Sequence, residues 1–168
     1  MAKVVVGIDP GTATTGYGFI REDESGNLEV VDCGVILTPS HTPMEQRLKL
    51  LYSRMCELFL LHRPESGAVE KLFFQKNVST AISVGQARGV ILLAMAENNI
   101  RVSEYTPLEI KQAVAGYGGA EKKQIQLMVK SLLQLEEIPS PDDAADALAV
   151  AICHLNTSRF MNLTGQDE

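Results

Sequence analysis

The stretch Val4-Val5-Val6-Gly7-Ile8-Asp9-Pro10-Gly11 decides how the chain is read. A run so short and so rich in β-branched side chains predicts a buried strand. Asp9-Pro10-Gly11 then ends it in a turn. Working outward, Gly16 to Ile20 resumes an extended pattern and Leu28 to Leu37 forms a further strand region, joined through a turn at Glu22 to Asn27. The N-terminus therefore reads as a three-stranded antiparallel meander.

Further along, the period of the apolar residues changes. Thr42-Pro43-Met44-Glu45 predicts a helix start, with Thr42 as the cap, Pro43 at the first helical position and Glu45 completing a capping box. Met44, Leu48, Leu51, Met55 and Leu58 continue at helical spacing to about Leu61, a stripe best explained by core packing. Beyond Arg63-Pro64, Gly67 to Glu70 reads as a short buried strand. Ser79 to Asn98 reads as a helix in which Gly85 and Gly89 permit close approach of a neighbour, and Ile100 to Tyr105 as a strand. Thr106-Pro107-Leu108-Glu109 repeats the helix start and Gly116-Tyr117-Gly118-Gly119 breaks it. Glu121 to Leu135 is helical, and Ser140-Pro141-Asp142-Asp143 opens the last helix. The order β-β-β-α-β-α-β-α-α-α predicts an α/β fold, a mixed five-stranded sheet flanked by helices.

Composition narrows the function. With 168 residues, 45% of them hydrophobic, the chain suits one core, neither disordered nor built on disulfides. Cys33, Cys56 and Cys153 lack zinc-type spacing and read as structural, and the neighbours Cys153 and His154 point about 100° apart on a helix. The absence of Trp removes an obvious base-stacking platform. No window approaches a membrane-spanning run free of charge, and Met1 to Gly11 lacks the layout of a signal peptide, so a cytoplasmic protein is expected. Charge is unevenly divided. Residues 1–70 carry 6 basic and 10 acidic side chains, residues 71–130 carry 8 and 4, and residues 131–168 carry 1 and 7. An acidic total argues against bulk electrostatic binding of nucleic acid, while the basic middle suits a localised phosphate-binding face.

Three groups of carboxylates carry chemical promise. Asp9 sits where a buried strand meets a tight turn, a common place for a functional carboxylate, although a turn-forming Asp explains it equally well. The same turn resembles the first phosphate loop of actin-like and sugar-kinase ATPases, but those folds need two such domains. Glu70 closes an apolar strand, where a carboxylate needs a partner, a metal or water. Asp142, Asp143 and Asp146 lie in the first turns of a helix, where capping and the dipole favour acids in any case. Their spacing nonetheless puts Asp146 on one face with either Asp142 or Asp143, and spacing leaves that choice open. Ala144, Ala145, Ala147 and Ala149 let the helix approach the sheet closely. Oxygen ligands without thiolate or imidazole favour Mg²⁺ or Mn²⁺, and three separated carboxylate groups suit two-metal phosphoryl transfer.

Four segments in register now carry a resemblance: Gly7-Ile8-Asp9-Pro10-Gly11-Thr12, Val69-Glu70-Lys71-Leu72-Phe73, Gly85-Gln86-Ala87-Arg88-Gly89 and Asp143-Ala144-Ala145-Asp146-Ala147-Leu148. Together they closely resemble the RuvC family of Holliday-junction resolvases, over nearly the whole chain. The resemblance implies a ribonuclease H-like sheet in a single nuclease domain over residues 1–158, with 159–168 as a flexible tail. It implies a homodimer that cuts opposed strands of four-way junction DNA in recombination and repair, leaving 5′-phosphate and 3′-hydroxyl ends. Two Mg²⁺ ions per subunit, replaceable by Mn²⁺, and the RuvA and RuvB branch-migration proteins are expected with it. Position by position, Asp9, Glu70, Asp143 and Asp146 match the catalytic, metal-holding carboxylates; some members carry His where this chain has Asp143. Phe73 resembles the aromatic that contacts the opened junction, Lys111 and Lys122 match basic residues near the scissile phosphate, Lys123 is the neighbouring substitute, and Arg88 lies in a motif assigned to the DNA face.

Overall fold

The computed structural model describes residues 3–71 and 78–164. Its sheet is built from β1 (Lys3–Asp9), β2 (Thr14–Glu22), β3 (Leu28–Leu37), β4 (Ser66–Glu70) and β5 (Arg101–Tyr105). Their spatial order is β3-β2-β1-β4-β5. The pairs β1–β2 and β2–β3 are antiparallel, whereas β1–β4 and β4–β5 are parallel. Five helices complete the chain: α1 (Met44–His62), α2 (Val78–Glu97), α3 (Pro107–Ala115), α4 (Lys122–Leu132) and α5 (Asp142–Thr164). The mixed five-stranded sheet and the order of elements are those expected.

Alternation along the strands divides the core in two, because successive side chains leave opposite faces. Val6, Ile8, Phe19 and Val69 point to one face and pack with Met55 and Phe59 of α1 and with Ile91 and Met95 of α2. Val5, Ile20 and Ala68 point to the other face, against α3, α4 and the long apolar run of α5. Helix α2 is long and apolar enough to cross a membrane by length and composition alone, yet Ala87, Ile91, Ala94 and Met95 are buried in the first of these cores.

Three local expectations are corrected. Thr42 does not cap α1: Pro43 occupies the cap position with no side-chain hydrogen bond, because the Thr42 N–H is drawn into a turn onto the Pro39 carbonyl, 3.1 Å away. The second Thr-Pro-x-Glu start behaves as read, with a reciprocal capping box between Thr106 and Glu109. Helix α4 stops at Leu132, short of Leu135, and Gln134 adopts a positive φ of 52°. Helix α5 runs on to Thr164, through residues expected to form a tail from 159. Arg159 explains this extension: its Nη2 lies 2.6 Å from Glu22 Oε1 and 3.1 Å from the Gly26 carbonyl, fastening the helix to the β2–β3 turn.

Candidate active site

Parallel pairing of β1 with β4, in register from Val5 with Ser66 to Ile8 with Val69, brings the ends of the two strands side by side. Asp9 and Glu70 are the terminal residues of those strands. Both project toward α5: Ala68, two residues before Glu70, packs in the α5 core, and Asp9 shares a strand face with Gly7.

Three glycines then set how closely α5 lies on that face. A Cβ on Gly7 would stand 2.1 Å from the Ala147 carbonyl oxygen, and one on Gly18 would stand 2.7 Å from the Leu148 side chain. A Cβ on Gly16 would stand 2.0 Å from the carbonyl oxygen of Asp143. Gly7 pairs with Gly18 and Asp9 with Gly16, so a bare track crosses two neighbouring strands and ends beside Asp9. The helix lies in that track through Asp143, Ala147, Leu148 and Ala151. Its first turn is thereby delivered to the end of β1. The alanines were visible as a device for close approach; the glycines facing them were not singled out, although the spacing of Gly16 and Gly18, two residues apart on an extended segment, was the signal.

The result is a cluster in which Asp9, Asp143 and Asp146 each offer a carboxylate oxygen, all within 4.8 Å of one another. Asp9 also shares a side-chain hydrogen bond with Glu70. Burial, and then the negative charge of Glu70, Asp146 and Asp143, push the Asp9 carboxyl up to about 8. Burial likewise raises Glu70, with Asp9 and Lys111 pulling the other way, and raises Asp146 against the pull of Lys122. Near neutral pH the chain alone therefore keeps a proton in this cluster, through burial first and the crowding of like charges second. An all-oxygen donor set of this charge and spacing fits a hard divalent cation.

Asp142 does something different. Its carboxylate lies 3.0 Å from Lys122 Nζ and accepts a hydrogen bond from Gln126 Nε2 at 3.1 Å. Lys122 holds it below the usual carboxylate range. The spacing ambiguity is thus resolved by geometry, with Asp143 facing Asp9 and Asp142 serving a lysine.

A cleft of about 230 Å³ opens beside the cluster, with Glu70, Asp146, Lys111 and Lys122 in its walls. Lys122 Nζ is 3.8 Å from Asp146 Oδ2. Lys123 is exposed and does not line this cleft. Phe73 lies outside the described residues. Arg88, expected on the DNA face, has its partners inside the molecule. Its Nη1 donates to the Glu70 carbonyl oxygen at 3.2 Å, its Nη2 pairs with Glu104, and its side chain is only 16% exposed. Glu104 was not among the residues singled out from the sequence, and only the pairing of β5 with β4 places it within reach.

Comparison with known proteins agrees with this geometry. Residues 5–154 match the family model described as crossover junction endodeoxyribonuclease RuvC. The protein of that name from Desulfitobacterium hafniense is 55% identical over 162 residues, covering 96% of this chain and 98% of the relative. The Thermus thermophilus RuvC structure superposes with a TM-score of 0.88 at 37% identity, covering 94% of this chain and 96% of that one. A second structure, of T. thermophilus RuvC in complex with a Holliday junction substrate, gives a TM-score of 0.86 at 34% identity over 94% and 96% of the two chains. A sheet of this order, a carboxylate cluster at the ends of its central strands and relatives matched over almost their full length place this chain in the RuvC family of crossover junction endodeoxyribonucleases.

Proposed function

We propose that this chain resolves four-way DNA junctions by metal-dependent hydrolysis of phosphodiester bonds, with Asp9, Glu70, Asp143 and Asp146 as its catalytic carboxylates. The observation that carries the proposal is the meeting of these four acids at one edge of the sheet, beside a cleft walled by Lys111 and Lys122. A pure DNA binder gains nothing from clustering carboxylates where phosphate must approach. Asp9, Asp143 and Asp146, with Glu70 hydrogen-bonded to Asp9, would hold Mg²⁺, two ions per subunit, with Mn²⁺ as a substitute. Such ions, when bound, supply charge neutralisation and Lewis acidity at the phosphate.

The chain's own part is positional. The carboxylates are fixed on two strand ends and one helix, rigid elements that hold their geometry before substrate arrives. Lys111 and Lys122 place positive charge across the cleft, where negative charge grows on phosphorus during attack. Lys122 is steadied by Asp142 and raised above the ordinary lysine range by that contact, so it stays charged throughout the working pH range. The two lysines belong to the basic middle of the chain, which offsets its acidic total locally.

A homodimer suits a substrate with two opposed strands to cut. Helix α2 offers the face for a second copy: Val78, Ile82 and Leu93 are exposed along one side, and Gly85 and Gly89 between them have open space where a side chain would stand. Small residues four apart on such a face let two helix backbones approach closely. Phe73 and Lys123 are proposed as further DNA contacts, with RuvA and RuvB as partners in the cytoplasm.

The test is cleavage of a synthetic mobile four-way junction with Mg²⁺, Mn²⁺ or EDTA, beside an Asp146→Asn variant. Paired symmetric nicks that require both metal and Asp146 are expected. Metal-independent cleavage, or full activity of the variant, would remove the proposed chemistry.

A further inference from the structure

Arg88 reaches the end of β4 from the face of the sheet opposite the carboxylate cluster. Glu70 projects its side chain toward α5. Arg88 belongs to α2, which packs on the opposite face. Its guanidinium meets the sheet from there, giving one donor to the Glu70 carbonyl oxygen and another to the Glu104 carboxylate. Val69 and Glu104 are register partners in β4 and β5, so one planar fork spans both strands at the point where β4 ends. On the far side of Glu70, the N–H of Lys71 donates to the Tyr105 carbonyl at 2.8 Å. Two hydrogen bonds and one ion pair thus pin the last peptides of β4.

We infer that Arg88 is a positioning residue for Glu70, fixing the backbone from which that carboxylate projects, and that it makes no direct contact with DNA. The inference rests on the assignment of Glu70 to the catalytic cluster. Several features favour it. A charged group 16% exposed and already paired gains little from a phosphate unless it first gives up Glu104. Arginine presents a rigid fork that can hold a carbonyl and a carboxylate at once, which lysine cannot. A strand end also lacks neighbours to hold it, so a small rotation there moves the Glu70 carboxylate relative to Asp9. Displacements on the order of 1 Å at a catalytic group cost about a hundredfold in rate. Helix α2 carries Arg88 on the flank of its buried face, with Gly85 and Gly89 on the neighbouring exposed face. A second copy packed on α2 would therefore brace the element that holds Glu70.

The experiment compares wild type, Arg88→Ala, Arg88→Lys and Glu104→Gln in the full chain. It measures junction affinity at several salt concentrations and the single-turnover cleavage rate at saturating protein with Mg²⁺. A positioning role predicts that Arg88→Ala lowers the saturated cleavage rate at least tenfold, while junction affinity and its salt dependence stay unchanged. Arg88→Lys, which keeps a positive charge and a donor, should recover part of the rate, and Glu104→Gln should lose less than Arg88→Ala. Weaker binding with a shallower salt dependence and an unchanged saturated rate would overturn the inference, since loss of a phosphate contact has that signature. Equal loss of rate and of folded structure in all three variants would also overturn it, by making the cluster a general support. If wild type fails to cut the junction, the proposed function falls, a result separate from any ranking of the variants.

Discussion

The two faces of the sheet are packed by opposite means. On the α1–α2 face the space is filled with large side chains, among them Phe19, Phe59, Met55, Met95 and Ile91. On the α5 face Gly7 and Gly16 meet the helix backbone at Ala147, Ala151 and Asp143, and Gly18 receives the side chain of Leu148. A core of flexible methionines and aromatics adjusts to small changes in volume. A contact with backbone has no flexible end that can give way, so it fixes how closely the helix lies on the strands. The carboxylates of α5 are on the rigid face, and the surface proposed for a second copy is on the other. The site thus sits on the face where glycines let a helix backbone meet the strands.

The largest effect that would break this division is expected at Gly16. Gly16→Ala puts a methyl group where the Asp143 carbonyl now lies, so the first turn of α5 must move. Junction cleavage per folded molecule should fall by about a hundredfold or more. If the variant folds and cuts at the wild-type rate, the glycine track does not place the site. The contrasting substitution is Met95→Ala on the other face, where Met95 is fully buried. Denaturant titration should show a loss of about 2–5 kcal/mol, while cleavage by the folded fraction stays within about threefold of wild type. A comparable loss of rate would mean that the two faces are not separable.

A third effect concerns His154, on the α5 face. Its ring lies 2.8 Å from Ser66 Oγ and 3.1 Å from the Tyr105 hydroxyl, and it is buried. Burial, with a smaller contribution from Arg101, pulls it down to about 4. Between pH 6.5 and 4 the unfolded chain takes up this proton and the folded one does not. Stability should therefore fall as the pH drops through that window, by about 3 kcal/mol once pH 4 is passed. In His154→Gln this component should be missing, seen as a smaller difference in unfolding free energy between pH 7 and pH 4. An identical pH profile would mean that His154 is protonated without penalty in the fold.

Most of the architecture was legible because the apolar period switches cleanly between two and about 3.6 residues, and because turns and caps mark the ends of elements. The same Thr-Pro-x-Glu pattern at Thr42 and Thr106 shows the limit. Both sequences offer a capping box, yet only Thr106 forms one, since a preceding turn onto Pro39 draws Thr42 away. In the site, Asp9 and Asp146 meet Asp143 in one cluster, with Glu70 beside Asp9. The choice between Asp142 and Asp143 was not available from spacing, because positions three and four apart both share a helix face. It depends on the rotation of α5, which the glycine track sets across more than 100 residues of chain. The internal partners of Arg88 could not be read for a related reason: Glu104, which pairs with it, is brought near only by strand pairing.

The placement of α5 is tested by setting Asp143→Asn against Asp142→Asn in cleavage of a mobile four-way junction with Mg²⁺. Asp143→Asn should abolish paired nicks, because Asp143 faces Asp9 and Asp146. Asp142→Asn should keep most of its activity, losing only the contact that steadies Lys122. An inactive Asp142 variant beside an active Asp143 variant would contradict the proposed cluster and the placement of α5 on which it depends.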